Sequence, residues 1–290
     1  MKIGVFDSGY GGLTILSEIR KALPEYDYIY LGDNARAPYG TRSFECIYQY
    51  TLQSVQYLRE QGCRLVILAC NTASAKALRT IQQRDIDPTT FRVLGVIRPT
   101  VEAVTADYPE SDKLAEQPRI GILATPGTVS SCSYPIEIEH LNPAAIVTQQ
   151  ACPMFVPLIE AGEHESPAAD YFVHQYLYGL FMQDPLIDTI ILGCTHYPLL
   201  LPKIQDALSN LTAHAPSLNH LNPDSVRVIT QGPIVAASLK DYLHRHPEIV
   251  ADLTTNGTCK YLTTDNPDSF ASAASLFIAQ PIHADHIELT

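Results

Sequence analysis

The chain has no Cys-x-x-Cys pair, and its 7 cysteines are scattered singly at Cys46, Cys63, Cys70, Cys132, Cys152, Cys194 and Cys259. An odd, dispersed set argues against a disulfide framework and against a thiolate zinc site. Most of these thiols read as small buried hydrophobes. His283 and His286 have no convincing ligand partners, and no metal is expected. No apolar run approaches about 18 residues, so no membrane span is expected. The apolar start, Met1 to Phe6, meets Asp7 too soon to form a signal-peptide core. A cytoplasmic location with reduced thiols is the expectation. Positive charge is also scarce: 19 Lys and Arg face 31 Asp and Glu, a net charge of −12. Such a chain repels phosphate backbones, which argues against nucleic acid as a partner. Finally, Asp7-Ser8-Gly9-Tyr10-Gly11-Gly12 lacks the G-x-G-x-x-G spacing of a dinucleotide loop, so no nucleotide cofactor is inferred.

What is present is enough for two domains. The 290 residues are 46% hydrophobic and 17% charged, ordinary for a globular protein, and a domain takes roughly 150 residues. Short apolar runs alternate with stretches of helical spacing, which predicts an α/β class. Strands are predicted at Lys2–Phe6, Tyr28–Leu31, Arg64–Ala69 and Arg92–Ile97, the last broken by Pro99. Helices are predicted at Leu13–Leu23, Ser43–Gln61 (closed by Gly62) and Thr72–Asp85. The pattern restarts with strands at Arg119–Leu123, Ala145–Gln149, Thr189–Leu192 and Val226–Thr230. Helices are predicted between and after them at Val129–Leu141, Pro167–Gln183 and Pro233–His244. Asn210–Asp224 reads as a connector, and Asn266-Pro267 as a helix cap before an apolar face of Phe270, Ala273, Ala274 and Phe277.

The two halves rhyme. Ile3-Gly4-Val5-Phe6-Asp7-Ser8-Gly9 is similar to Ile120-Gly121-Ile122-Leu123-Ala124-Thr125-Pro126-Gly127, and Leu65 to Thr72 is similar to Thr189 to His196. Comparable gaps separate Asp7 from Cys70 and Ala124 from Cys194. A duplicated α/β domain is the expectation, with chance similarity between buried strands as the alternative.

Open parallel sheets bind ligands beyond the carboxyl ends of their strands. Cys70 and Cys194 both fall there, on strand-to-helix turns where a thiolate is stabilised. One such cysteine is usually packing, but two in matched contexts point to chemistry. Paired thiols suit inversion at a carbon with a removable proton, where one face needs a base and the other an acid. The roles swap with direction, so the two groups should be of one type. A free thiol has a pKa of about 8.5, so a modest shift gives a usable mix of thiol and thiolate. Asn71, Thr72, Thr195 and His196 could hold a small carboxylate, as could the backbone of Pro38-Tyr39-Gly40, otherwise an ordinary turn. Asp7 could meet an ammonium group or orient a thiol. Glu160 reads as a solvated helix charge.

With these residues in view, the chain resembles the glutamate racemases of the cofactor-independent aspartate/glutamate racemase superfamily. The resemblance rests on Val5 to Gly9 with Gly11 to Thr14, Gly32-Asp33 with Pro38-Tyr39-Gly40, Cys70-Asn71-Thr72-Ala73, Thr125 with Gly127-Thr128-Val129, and Gly193 to Leu200. Cys152-Pro153 with Phe155 to Leu158 also fits, while Arg98 and Thr100 depart from the expected residues around Pro99. It implies racemisation of glutamate without a cofactor, supplying D-glutamate for peptidoglycan. Cys70 would take the α-proton from D-glutamate and Cys194 from L-glutamate. Asp7 would assist Cys70, and Glu160 with His196 would assist Cys194. Asp7, Ser8, Pro38, Tyr39, Gly40, Asn71, Thr72, Thr128, Thr195 and His196 would bind substrate. It also implies two pseudo-symmetric open parallel-sheet (flavodoxin-like) domains with the site in the cleft between them, and a homodimer. The first domain would comprise 1–97 plus about 212–290, and the second about 98–211. Another amino-acid or hydantoin racemase, a cysteine amidohydrolase using His196 as base, and a non-catalytic amino-acid binding protein remain as alternatives.

Overall fold

Lys2–Asp7 is a run of residues that are buried from Ile3 onward, as expected of a central strand covered on both faces. It is β1 in a computed structural model that describes residues 1–108, 117–211, 225–278 and 280–289. The other described strands are β2 (Tyr28–Gly32), β3 (Cys63–Leu68), β4 (Arg92–Gly95), β5 (Arg119–Ala124), β6 (Ile146–Ala151), β7 (Thr189–Gly193), β8 (Arg227–Ile229), β9 (Cys259–Thr263) and β10 (Ala284–His286). The α-helices are α1 (Gly12–Ala22), α2 (Phe44–Glu60), α3 (Asn71–Lys76), α4 (Leu78–Arg84), α5 (Ile97–Ala106), α6 (Pro126–Ser131), α7 (Ser133–Leu141), α8 (Phe155–Glu160), α9 (Pro167–Gln183), α10 (Leu201–Ser209), α11 (Gln231–Arg245), α12 (Pro247–Val250) and α13 (Pro267–Ala274). Among the described residues no helix is long and apolar enough to cross a membrane.

The chain divides into two units, Met1–Thr100 with Gln231–Thr290, and Val101–Thr230. In the first, six strands lie in the order β10-β9-β2-β1-β3-β4, every pair parallel. Alternation of side chains along β1 sends Ile3 and Val5 to one face and Phe6 to the other. Ile3 and Val5 pack with Leu13, Leu16 and Leu239; Phe6 packs with Ile47, Val55 and Ile81. In the second unit, four parallel strands lie in the order β6-β5-β7-β8. The order β2-β1-β3-β4 of the first sheet is thus repeated, with β5 in the place of β1 and β7 in the place of β3. The rhyme between the halves is a duplicated fold.

Local signals place several helix ends. Ser43 caps α2 by accepting from the Cys46 N–H at 3.3 Å, and Gly62 follows with φ +85°. Asn266 accepts from the Ser269 N–H at 2.9 Å ahead of Pro267. Four expectations need correction. Arg92–Ile97 is not one strand: β4 stops at Gly95 and α5 starts at Ile97. Pro99 lies in the first turn of α5, where a missing N–H costs nothing. The stretch Thr72–Asp85 is two helices interrupted at Ala77. The stretch Val129–Leu141 is also two, separated by Cys132 in the left-handed region at φ 54°. Residues 225–230, assigned from sequence to the first domain, carry β8, which pairs with β7 in the second unit. Most of the expected connector, 212–224, lies outside the described residues.

Candidate active site

In each sheet the chain passes from the central strand to one neighbour and then back across to the other, so the connections diverge beyond the carboxyl ends of those strands. That divergence makes the crevice in which open α/β sheets bind ligands. In the first unit it lies past β1 and β3, where Asp7, Ser8, Cys70, Asn71 and Thr72 come together. All but Ser8 are buried. Cys70 caps α3, its Sγ accepting from the Ala73 N–H at 3.4 Å, and lies 3.4 Å from Ser8 Oγ. The Ala73 N–H favours negative charge on sulfur, and the Ser8 hydroxyl is placed to donate to a thiolate. The Asp7 carboxylate accepts from the Gly9 N–H at 2.9 Å. Two further bonds fix the turn that carries it: Asp33 N–H to Asp7 O at 3.0 Å, and Tyr30 Oη to Gly9 O at 2.9 Å.

In the second unit the corresponding ends are those of β5 and β7. Thr125 caps α6, accepting from the Thr128 N–H at 3.3 Å, and Thr128 is fully buried. Cys194 follows β7, with Thr195 and His196 buried beside it. His196 Nδ1 faces Cys194 Sγ at 3.9 Å, and its Nε2 lies 3.0 Å from Glu160 Oε1 at the end of α8. Burial pulls the imidazole pKa down, but the contacts with Cys194 and Glu160 outweigh it and raise it to about 10. Those two contacts favour the protonated imidazole, which is held between a sulfur and a carboxylate. Tyr197 supports the turn by donating to the Cys152 carbonyl at 3.3 Å and packing edge-on against Phe155 at 5.0 Å. Glu160 is thus more than the solvated helix charge its sequence context implies.

The remaining expected residues are placed differently. Tyr39 is buried, with its ring 6.2 Å from Phe6 and 5.8 Å from Tyr50, and its hydroxyl donates to Asp33. Asp33 also accepts from Arg36 Nε at 2.7 Å and Thr264 Oγ1 at 2.9 Å. The Tyr39 side chain therefore holds the 33–40 loop together, and the backbone of that loop is what could face a ligand. Pro38 is exposed and Gly40 half-buried on the same loop. Two further residues have supporting roles that the sequence reading did not assign. Gln231 accepts from Asn71 Nδ2 at 2.6 Å, a pairing 160 residues apart with no local signal. Gly12 sits so close to Asp7 that a Cβ there would lie 2.6 Å from Asp7 Cβ. The Gly11-Gly12 pair is visible in the sequence, but its reason is not.

The family model for Asp/Glu/Hydantoin racemase matches residues 11–234. A glutamate racemase of Ruegeria pomeroyi is 40% identical over 285 residues, covering 97% of this chain and 98% of its relative. Among solved structures, glutamate racemase isoform RacE1 from Bacillus anthracis aligns with a TM-score of 0.83 at 32% identity, over 99% of this chain and 97% of that one. The glutamate racemase from Francisella tularensis in complex with D-glutamate aligns with a TM-score of 0.81 at 31% identity, with the same coverage.

Proposed function

The chain belongs to the Asp/Glu/Hydantoin racemase family, and on that premise we propose that it interconverts L- and D-glutamate with two cysteine thiols as acid and base. The observation that carries the proposal is that Cys70 and Cys194 follow equivalent strands of a repeated sheet, each with its own means of managing a proton. From D-glutamate, the Cys70 thiolate takes the α-proton and becomes a thiol. The electron pair of the broken C–H bond is delocalised into the substrate carboxylate. The Cys194 thiol then delivers a proton to the opposite face and becomes a thiolate. From L-glutamate the roles reverse. No electron leaves the substrate, so the reaction as written needs no redox cofactor. His196 stabilises the Cys194 thiolate electrostatically, and Glu160 holds the imidazolium in place. Asn71, Thr72, Thr128, Thr195 and Ser8, with the loop at Pro38-Tyr39-Gly40, hold the substrate, and Asp7 assists at Cys70.

The test is racemisation of purified L-glutamate in deuterated water, without added cofactor. Product D-glutamate should carry deuterium at Cα, with turnover lost in Cys70→Ala and Cys194→Ala but kept in Cys46→Ala. No D-glutamate, or turnover surviving either of the first two changes, rejects the reading. A second reading is favoured by one observation: Cys194, His196 and Glu160 form a line that would also suit a cysteine hydrolase. That reading requires an acyl-enzyme on Cys194 and no need of Cys70, so the same variants separate the two. In the proposed role the enzyme works in the cytoplasm as a homodimer and supplies D-glutamate for peptidoglycan. Sedimentation equilibrium would test the assembly.

A further inference from the structure

Gln231 opens α11 as a buried polar side chain whose amide is bonded at both ends. Its Nε2 donates to Thr100 Oγ1 at 3.0 Å and to the Val96 carbonyl at 3.4 Å; its Oε1 accepts from Asn71 Nδ2 at 2.6 Å. Thr100 Oγ1 itself donates to the same Val96 carbonyl at 2.7 Å. These contacts have one consistent polarity. A backbone carbonyl can only accept, so the Thr100 hydroxyl proton and the Gln231 amino group both turn to Val96. The Gln231 oxygen must then face Asn71, which must offer its amino group. Asn71 follows Cys70 and is itself buried. The orientation of its amide is therefore set, through Gln231, by a backbone carbonyl on the segment between β4 and α5. A Cβ on Gly232 would lie 2.8 Å from Glu18 Cγ, so the start of α11 lies close against α1.

We propose that Gln231 is a positioning residue, which fixes the rotamer and the amide direction of Asn71 so that Asn71 is preorganised to bind glutamate beside Cys70. The inference rests on the racemase reading and extends it to a residue remote in sequence from every substrate-binding motif. Preorganisation lowers the ordering cost of binding. A group that binds ground state and transition state alike affects KM and leaves kcat alone.

The experiment measures kcat, KM and melting temperature for the wild type, Gln231→Met, Thr100→Val and the double variant, with glutamate as substrate. Gln231→Met keeps the volume and removes both ends of the relay; one to two lost hydrogen bonds correspond to a rise in KM of about tenfold. Thr100→Val removes one of the two acceptors of the Gln231 amino group and should raise KM about threefold. Because Thr100 acts through Gln231, the double variant should be no worse than Gln231→Met alone. If Gln231→Met does not fold, Thr100→Val carries the test by itself. KM unmoved in the variants that fold, whatever happens to the melting temperature, overturns the proposal and leaves Gln231 a core residue. A wild type that does not racemise glutamate removes the racemase reading and this inference together, whereas an active wild type with unmoved variants removes the inference alone.

Discussion

Nε2 of His196 lies 3.0 Å from Oε1 of Glu160, while the other ring nitrogen faces the Cys194 sulfur. Cys70 has a different environment, with Ser8 Oγ and the Ala73 N–H each 3.4 Å from its sulfur. The duplicated sheets thus present chemically equivalent thiols in unequal settings, one beside an imidazole paired with a carboxylate and one beside a hydroxyl and a backbone N–H. L- and D-glutamate have equal free energies in water, so kcat/KM must be equal in the two directions for any variant. Asymmetry between the thiols is therefore visible in isotope effects and pH profiles, not in the ratio of kcat/KM values.

The His196 pair makes a signed pH expectation. Its pKa is raised from an ordinary 6.5 to about 10, so its contribution to stability is complete below about pH 6.5 and lost as pH rises through about 10. His196→Asn should be most destabilised relative to the wild type near pH 6.5, with the gap closing toward pH 10 in thermal melts. Glu160→Gln removes one of the two contacts that raise the pKa. Its alkaline limb in kcat should move to lower pH, and kcat at pH 8 should fall at least about tenfold. Superimposable alkaline limbs for wild type and Glu160→Gln would remove His196 from the catalytic scheme.

Thiol labelling should separate the remaining cysteines. Burial pushes the Cys63 thiol up to about 12 and also raises Cys259; Cys152 is raised by burial and by neighbouring Cys194. All three should resist iodoacetamide at pH 8, because the thiolate is the nucleophile. Cys132 is exposed and should be alkylated first, with activity retained. Peptide mapping by mass spectrometry over time checks the order, and inactivation in step with Cys132 labelling would contradict it.

Much of this was legible in the sequence where residues act locally. Uninterrupted apolar runs mark β1, β3, β5 and β7, and the repeated context of Cys70 and Cys194 marks the duplication. The misses share a physical cause, which is that tertiary packing set the outcome. Nothing in the sequence punctuates the helix break at Ala77, which is buried, or requires the left-handed Cys132. β9 and β10 extend the sheet beyond β2, with β10 at the edge, and β9 pairs with a strand far away in sequence. Tyr39 sits within a ligand-like motif, yet its side chain is used by Asp33 and the core. Gln231 has no neighbour in sequence that could have announced its bond to Asn71.

Asp27 gives a stability expectation away from the chemistry. It is buried, and burial alone would raise its pKa, but hydrogen bonds from Thr254, Thr258 and Asn256 lower it well below the carboxylate range. The bonds run from Thr258 N–H at 2.9 Å, Thr258 Oγ1 at 2.6 Å and Asn256 Nδ2 at 2.7 Å, tying the loop before β9 to the start of β2. A depressed pKa gives stability that is present above about pH 4 and lost as pH falls. Asp27→Ala should cost about 1–3 kcal/mol at pH 7 by urea unfolding, the scale for breaking a buried hydrogen-bonded group. The difference from the wild type should narrow with acidification. A pH-independent difference would mean the carboxylate is not what holds the loop.

Gly12→Ala is the sharpest test of how the Asp7 turn is held. Gly12 begins α1 directly over the end of β1, and an added methyl would lie 2.6 Å from Asp7 Cβ, 3.0 Å from Asp7 Cγ and 3.0 Å from Ala69 Cβ. None of these is the end of a flexible chain. Asp7 or Ala69, the residue before Cys70, must therefore move. Overpacking of this kind costs about 1–3 kcal/mol, while a misplacement near 1 Å can cost about a hundredfold in rate. The variant should fold with a lower melting temperature and lose far more activity than that loss of stability explains. Gly62→Ala is the control: it has open space around its Cβ but φ +85°, so it should lose stability and keep turnover. Full activity in folded Gly12→Ala would show that neither Asp7 nor its spacing from Cys70 matters to the reaction.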